Sequence, residues 1–269
     1  MLGSIVGDIV GSIYEFANIK TKDFEFFQPE MERTDDSILC IATADWLLHG
    51  GDVSHYYSRY ALEYPYPMGG YGGMFKAWSS KVARQGIHEP YNSCGNGSAM
   101  RIAPVGWAFE TEREVLEAAK VSASCTHNHP EGIKGAQATA LCIFLARQGH
   151  TASDIRARIE RDFGYDLSMS VEELQRRYSW QGIDGKGDGG ICQDSVPQAI
   201  ICALQAKDFE DAIRNAISIG GDSDTIGCIA GGIAEALYGI PESIKERAWK
   251  YLDETEGRTV RSFIQKYSI

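Results

Sequence analysis

No apolar run in the 269-residue chain reaches the ~18–20 residues that a membrane span needs. No cluster of lysine and arginine is present either, which argues against a nucleic-acid-coating protein. The balance runs the other way, with Lys+Arg 26 against Asp+Glu 37 and a formal net charge of −11. The seven cysteines (40, 94, 125, 142, 192, 202 and 228) are odd in number and never in CxxC spacing, so neither a disulfide framework nor a zinc site is expected. They read as small hydrophobes in a reduced, cytoplasmic setting. The start, MLGSIVGDIVGSIYEF, has no basic flank and is interrupted by Asp8 and Glu15, so it is expected to be neither a secretory signal nor a transit peptide. There is no long Pro/Ser linker and no solenoid repeat, so residues 1–269 are expected to form a single domain, with a monomer as the simplest form.

What is present is helical periodicity. Apolar residues recur at three and four after Thr34-Asp35-Asp36-Ser37, and again over 115–124, 132–147, 194–205, 208–219, 222–238, 242–252 and 257–267. Thr111 with Glu114 reads as a capping box, Pro130 as a helix start, and Ser153 and Ser170 as N-caps. Alternating strand patterns are almost absent, so the class is all-α with ten or more helices. Glycine is 29 of 269, about 11% against a usual ~7%. Gly3, Gly7 and Gly11 share one helix face, and Gly227, Gly231 and Gly232 do the same later, which predicts close helix packing. The densest loop signals are residues 64–73 and 182–190. The first mixes aromatics with glycines and suits a binding-site wall; the second reads equally well as a solvated turn.

Two segments carry crowded acids: Thr34-Asp35-Asp36-Ser37 and Gly220-Gly221-Asp222-Ser223-Asp224-Thr225. Each precedes an apolar helical run, so helix capping explains one carboxylate per segment. Two carboxylates within three residues exceed that need and repel each other, and a cation relieves the repulsion. Successive helical residues point about 100° apart, so such groups converge only at a helix end. Thr34, Asp35, Asp36, Asp222, Asp224 and Thr225 offer only oxygen, which selects a hard cation such as Mg²⁺ or Mn²⁺, and four carboxylates suit two ions. Ser93-Cys94-Gly95-Asn96-Gly97-Ser98 is a small Gly-rich turn entering a helix, whose free N–H groups are expected to form an anion nest. No GK[ST] follows, so it is not a Walker A loop. His127 and His129 stand before a helix without a third His or a Cys nearby, which argues against a transition-metal site.

In chain order, GDIVGSIYE at 7, TDDS at 34, GYGGMF at 71, GNGSAMR at 95, THNHP at 126 and GGDSDTIG at 220 resemble the ADP-ribosylglycohydrolases. These are also called ADP-ribosyl-acceptor hydrolases and include the dinitrogenase reductase-activating glycohydrolase. The resemblance covers nearly the whole chain. It implies a compact all-α helical bundle with a binuclear metal cleft, and hydrolysis of the C1″ bond joining ADP-ribose to a protein side chain or small acceptor, arginine before serine. It implies two Mg²⁺ or Mn²⁺ ions held by Thr34, Asp35, Asp36, Asp222, Asp224 and Thr225. Glu15 matches the family's glutamate above the metals, and with Asp35 and Asp224 forms the implied catalytic set. Ser93, Gly95, Asn96, Gly97 and Ser98 match the diphosphate loop, and His127 matches a histidine beside the bound ADP-ribose. Cys94 stands where some relatives have an aromatic, so adenine stacking falls to Tyr71, Phe75 or Tyr91. Ser37 replaces the more frequent threonine, with helix capping as its expected role. The competing readings are a non-catalytic ADP-ribose-binding or crystallin-like relative, and a Mg²⁺-dependent phosphohydrolase.

Overall fold

The computed structural model describes residues 1–269. Fifteen α-helices follow one another. They are α1 Leu2–Gly11, α2 Asp35–His49, α3 Val53–Glu63, α4 Gly73–Gln85, α5 Gly97–Met100, α6 Ala103–Ala108, α7 Glu112–Ser124 and α8 Pro130–Arg147. The second half holds α9 Ala152–Phe163, α10 Val171–Arg177, α11 Cys192–Leu204, α12 Phe209–Ser218, α13 Ser223–Tyr238, α14 Glu242–Ala248 and α15 Glu254–Tyr267. There is no sheet; strand-like pairing is limited to two isolated bridges, Thr34 with Met68 and Gly95 with Ile191. The all-α expectation holds, and one cluster of 72 buried apolar residues draws on the chain from Met1 to Phe263.

Local chemistry sets most helix starts. The Thr111 hydroxyl accepts from Glu114 N at α7, and His129 accepts from Glu131 N at α8, where Pro130 takes the first position. Ser170 and Glu173 form a reciprocal capping box at α10. At α9 the expectation is corrected: Thr151, with Asp154, is the cap, and Ser153 lies inside the first turn. The periodicity over 53–63 and 73–85 is blurred by polar and aromatic residues, and α3 and α4 were not anticipated; α4 begins at Gly73, so the end of the Gly-rich stretch is helical.

The centre of the molecule is the crossing of α1 and α13. Every residue of α1 is buried, including Asp8. A Cβ on Gly7 would stand 1.9 Å from the carbonyl oxygen of Gly227, and one on Gly3 would stand 2.3 Å from that of Gly231. The two backbones touch along the glycine faces expected from the sequence. Each helical glycine is unfavourable by about 1 kcal/mol against alanine, but the approach brings α13 fully against α1. The crossing ends where α13 begins: a Cβ on Gly11 would stand 2.5 Å from the Asp224 Cα. The start of α13 is thereby set beside the end of α1, four residues before Glu15.

Candidate active site

The starts of α2 and α13 meet. At α2, the Thr34 hydroxyl accepts from Asp36 N and serves as the cap, which leaves the Asp35 and Asp36 carboxylates free of capping. At α13, Asp222 occupies the cap position but makes no capping hydrogen bond. Gly220 and Gly221 precede it with φ of +69° and +77°, and a Cβ on Gly221 would stand 2.5 Å from the Tyr178 ring, so only glycine turns the chain here. Capping therefore does not account for these acids. One carboxylate oxygen each of Asp8, Asp36 and Asp224 lies within 4.8 Å of the other two, and the same holds for Glu15, Asp222 and Asp224. Asp224 belongs to both groups.

The chain's lysine and arginine ion pairs lie elsewhere, so no basic side chain neutralises this cluster. Two positive helix ends point at it, which favours negative charge there. The Oδ1 atoms of Asp36 and Asp224 are buried with no hydrogen-bond partner. A buried, unpartnered carboxylate oxygen is costly, and coordination to a cation relieves it. All-oxygen donors in two overlapping groups fit hard divalent cations.

Beside the cluster lies a cleft of about 590 Å³. Its floor is Glu15, Asp35, Asp36, Asp222, Asp224 and Thr225, and its walls include Gly69–Phe75, Tyr91, Ser93, Gly95–Gly97, Arg101, His127, Trp180 and Gly190. A volume of this size suits a small organic ligand.

Comparison with known proteins decides the family. The family model for ADP-ribosylglycohydrolase matches residues 1–267. The chain is 30% identical to ADP-ribosylhydrolase ARH3 of Homo sapiens, over 95% of this chain and 89% of that protein. The chain belongs to the ADP-ribosylglycohydrolase family. It is also 26% identical to ADP-ribosylarginine hydrolase Tri1 of Pseudomonas putida, over 93% of this chain and 73% of that one. Among solved structures, a chain of an ADP-ribosylglycohydrolase-related protein complex superposes with a TM-score of 0.68 at 24% identity, covering 98% and 96% of the two chains, which shows a shared fold. The protein is thus a glycohydrolase acting on ADP-ribosyl groups.

Within this glycohydrolase the residues singled out in the sequence fall into two sets. Glu15, Asp35, Asp36, Asp222, Asp224, Thr225, Ser93, Gly95, Asn96, Gly97 and His127 share the cleft. Thr34 and Ser98 do not line it. Thr34 is fully buried and gives its hydroxyl to Asp8 Oδ1 (2.6 Å), so it faces the cluster from the protein side. Ser98 is fully buried and donates to the Gly132 carbonyl (2.7 Å), holding α5 against α8. Asn96 turns its amide to Asp222 Oδ2 (2.7 Å) and so orients an acid of the cluster as well as lining the cleft. Residues 93–98 contain no positive φ, so the loop is not an alternating nest; residues 93–96 lead into a short helix that begins at Gly97.

Ser37 corrects its expected role. Its N–H and hydroxyl both bond to Asp8 Oδ2, the latter tightly, and the same carboxylate takes the Thr34 N–H (3.0 Å). Asp8 is the residue that sequence reasoning missed. It pins the start of α2 onto α1 and adds a third carboxylate to Asp36 and Asp224. The signal was available as a lone acid inside an otherwise apolar helix, which must find buried partners.

The two loops close the site. A Cβ on Gly69 (φ +75°) would meet Glu15 Oε2 at 2.6 Å, so the glycine lets the loop lie directly against that carboxylate. The stretch 182–190 is more than a solvated turn: the Gly190 carbonyl accepts Asn96 N (3.0 Å), and Cys192 N donates to Cys94 O (2.9 Å). Trp180 Nε1 donates to the Glu15 carbonyl (2.8 Å), and its ring stacks on Phe16. Tyr71, Phe75, Trp78, Tyr91 and His127 make a continuous row of ring contacts at 5.5–6.5 Å.

Burial sets the electrostatics. It pushes the Glu15 carboxyl up to about 7, with help from the charges of Asp222 and Asp8. Burial, then neighbouring acids, holds Asp35, Asp36 and Asp224 well above the usual carboxylate range. A carboxyl raised in the folded state stabilises the fold only while protonated. For Glu15 that contribution is complete below 4.5 and is lost as pH rises through about 7. In EDTA, the protein is expected to melt several degrees lower at about pH 8 than at about pH 5.5. Saturating Mg²⁺ removes most of that difference, since cations replace the protons. Melting curves in both buffers check this; equal pH slopes would contradict cation binding at the cluster.

Proposed function

We propose that the chain, acting as one unit over residues 1–269, is a metal-dependent hydrolase that cleaves the C1″ glycosidic bond of ADP-ribose attached to a protein side chain and releases free ADP-ribose. The observation that carries this is the pair of carboxylate groups sharing Asp224, with unpartnered oxygens on Asp36 and Asp224, at the floor of the cleft. Arginine is the favoured acceptor, supported by the likeness to a relative named ADP-ribosylarginine hydrolase, with serine and small acceptors as further linkages. Two Mg²⁺ or Mn²⁺ ions would be held by Asp35, Asp36, Asp222, Asp224 and Thr225, with Thr34 behind them. Bound there, the ions would supply polarisation of sugar hydroxyls and a water of lowered pKa.

The chain's own groups do the rest. Asn96 orients the Asp222 carboxylate, and Asp8 holds the start of α2 that carries Asp35 and Asp36. Glu15, beside Asp222 and Asp224, exchanges a proton with the leaving group or the attacking water as the ribose passes through an oxocarbenium-like state. The N–H of Gly97, in the first turn of α5, and His127 beside it receive the diphosphate. The row from Tyr71 to Tyr91 offers faces for adenine. An overall charge of −11 repels an anionic substrate, so these local donors must attract it. Seven unpaired cysteines support a reducing, cytoplasmic setting.

The test is a panel of ADP-ribosylated arginine and serine peptides with and without Mg²⁺ or Mn²⁺, with products separated by chromatography. Intact ADP-ribose is expected; AMP with a phosphoribosyl peptide would identify a phosphohydrolase instead, and no turnover would identify a binding protein. Glu15→Gln is expected to keep ADP-ribose affinity while turnover falls by ~10²-fold or more. Unchanged turnover would remove Glu15 from proton transfer.

A further inference from the structure

Arg101, the residue after α5, is a fully buried cation on the inner wall of the cleft, and no carboxylate pairs with it. Its guanidinium lies over the Tyr57 ring, 3.9 Å from the centroid. Nη2 donates to the Ser122 carbonyl and to Thr126 Oγ1, each at 2.8 Å, while Nε and Nη1 have no partner. Thr126 Oγ1 lies in turn 2.8 Å from His127 Nδ1.

Donor chemistry fixes the first bond of this chain. A guanidinium only donates, so Thr126 Oγ1 accepts from it. The hydroxyl keeps one proton of its own, and His127 Nδ1, 2.8 Å away, stands where it can accept it. A neutral imidazole that accepts at Nδ1 carries its own proton on Nε2. Nε2 is the atom that overlies the diphosphate loop: a Cβ on Gly97 would stand 3.2 Å from it, and one on Gly95 3.5 Å. Burial, then the Arg101 charge, pulls the His127 pKa well below its ordinary value, so the ring is neutral around pH 7. An Nε2 lone pair facing this space would repel a phosphate oxygen, whereas an Nε2–H bonds it.

We propose that Arg101 and Thr126 are positioning residues that fix His127 as the Nε2–H tautomer and so aim a neutral donor at the diphosphate over Gly95 and Gly97. This rests on the ADP-ribose reading above. In this proposal both residues act through the imidazole.

The experiment has two independent arms. Long-range ¹H–¹⁵N correlation spectra of histidine-labelled, ligand-free protein read the tautomer, with His127→Gln to assign the signal. Wild type is expected to show Nε2 protonated around neutral pH. Titration with free ADP-ribose in Mg²⁺ reads affinity. Thr126→Val is expected to lose the Nε2–H preference and to bind ADP-ribose ~10-fold more weakly, the loss of one charge-assisted hydrogen bond. Thr126→Ser restores both. A wild-type proton on Nδ1, or a Thr126→Val protein that keeps tautomer and affinity, overturns the proposal. If Thr126→Val fails to fold, the wild-type spectrum still decides. Wild type with Nε2–H but no ADP-ribose binding would instead sink the functional reading and leave the tautomer assignment standing.

Discussion

Asp224→Asn is expected to cut turnover by about 10³-fold or more and yet to raise the melting temperature of the metal-free protein. Asp224 is buried, its Oδ1 has no partner, and it belongs to both carboxylate groups. Burial and the charges of Asp222 and Asp36 hold its carboxyl well above the usual range. As pH rises the cluster must ionise against this resistance, and an amide removes one of the opposed charges. In wild type, Mg²⁺ is expected to stabilise by binding only the folded state. The variant is expected to lose that response. Thermal melts with and without Mg²⁺, beside the ADP-ribose release assay, separate the two effects. An undiminished Mg²⁺-induced rise in Asp224→Asn would remove this residue from the ion-binding set.

Gly7→Ala is expected to destabilise the protein by about 3 kcal/mol or more, since overpacking against backbone cannot be relieved by a side-chain rotation. The new Cβ would stand 1.9 Å from the Gly227 carbonyl oxygen and 2.3 Å from its carbon. The melting temperature should fall by roughly 6–12 °C in a chain of this size. Gly73→Ala is the control, because nothing lies within 4 Å of its added Cβ; stability stays unchanged or rises slightly. The first variant should also weaken Mg²⁺ binding, since the displaced helix carries Asp224 near its start. Loss of stability with full Mg²⁺ affinity would mean that the crossing and the cluster are independent.

These cases show what could be read from residues alone. The glycine faces at 3, 7, 11 and 227, 231 were legible because a four-residue spacing has one geometric meaning in a helix. The acids at 35, 36, 222 and 224 stood out because they exceed what a cap uses. Asp8 was visible as a lone acid in an apolar helix, but its partners, Thr34 and Ser37, lie more than twenty residues away and could not be read from the pattern. Ser98 was misplaced within its loop, and the bond of Asn96 to Asp222 was hidden, for a related reason. A Gly-rich turn announces exposed backbone, but which side chain looks outward depends on what packs behind, here Asp222 and the Gly132 carbonyl. Helices α3 and α4 were illegible because mixed tyrosines and small residues blur the apolar period. Arg101 and Thr126 lay inside quoted motifs, and only the bonds from Arg101 to Thr126 and from Thr126 to His127 drew attention to them.

The shared cluster joins segments nearly two hundred positions apart in the chain. An ion that needs both acid pairs has no site until the last third of the polypeptide has docked on the first. It therefore cannot speed the early stages of folding; its effect falls on the opening rate, where each departure must first release the clasp. Divalent cations should lengthen the lifetime of the assembled molecule against proteases far more than they hasten its refolding from denaturant.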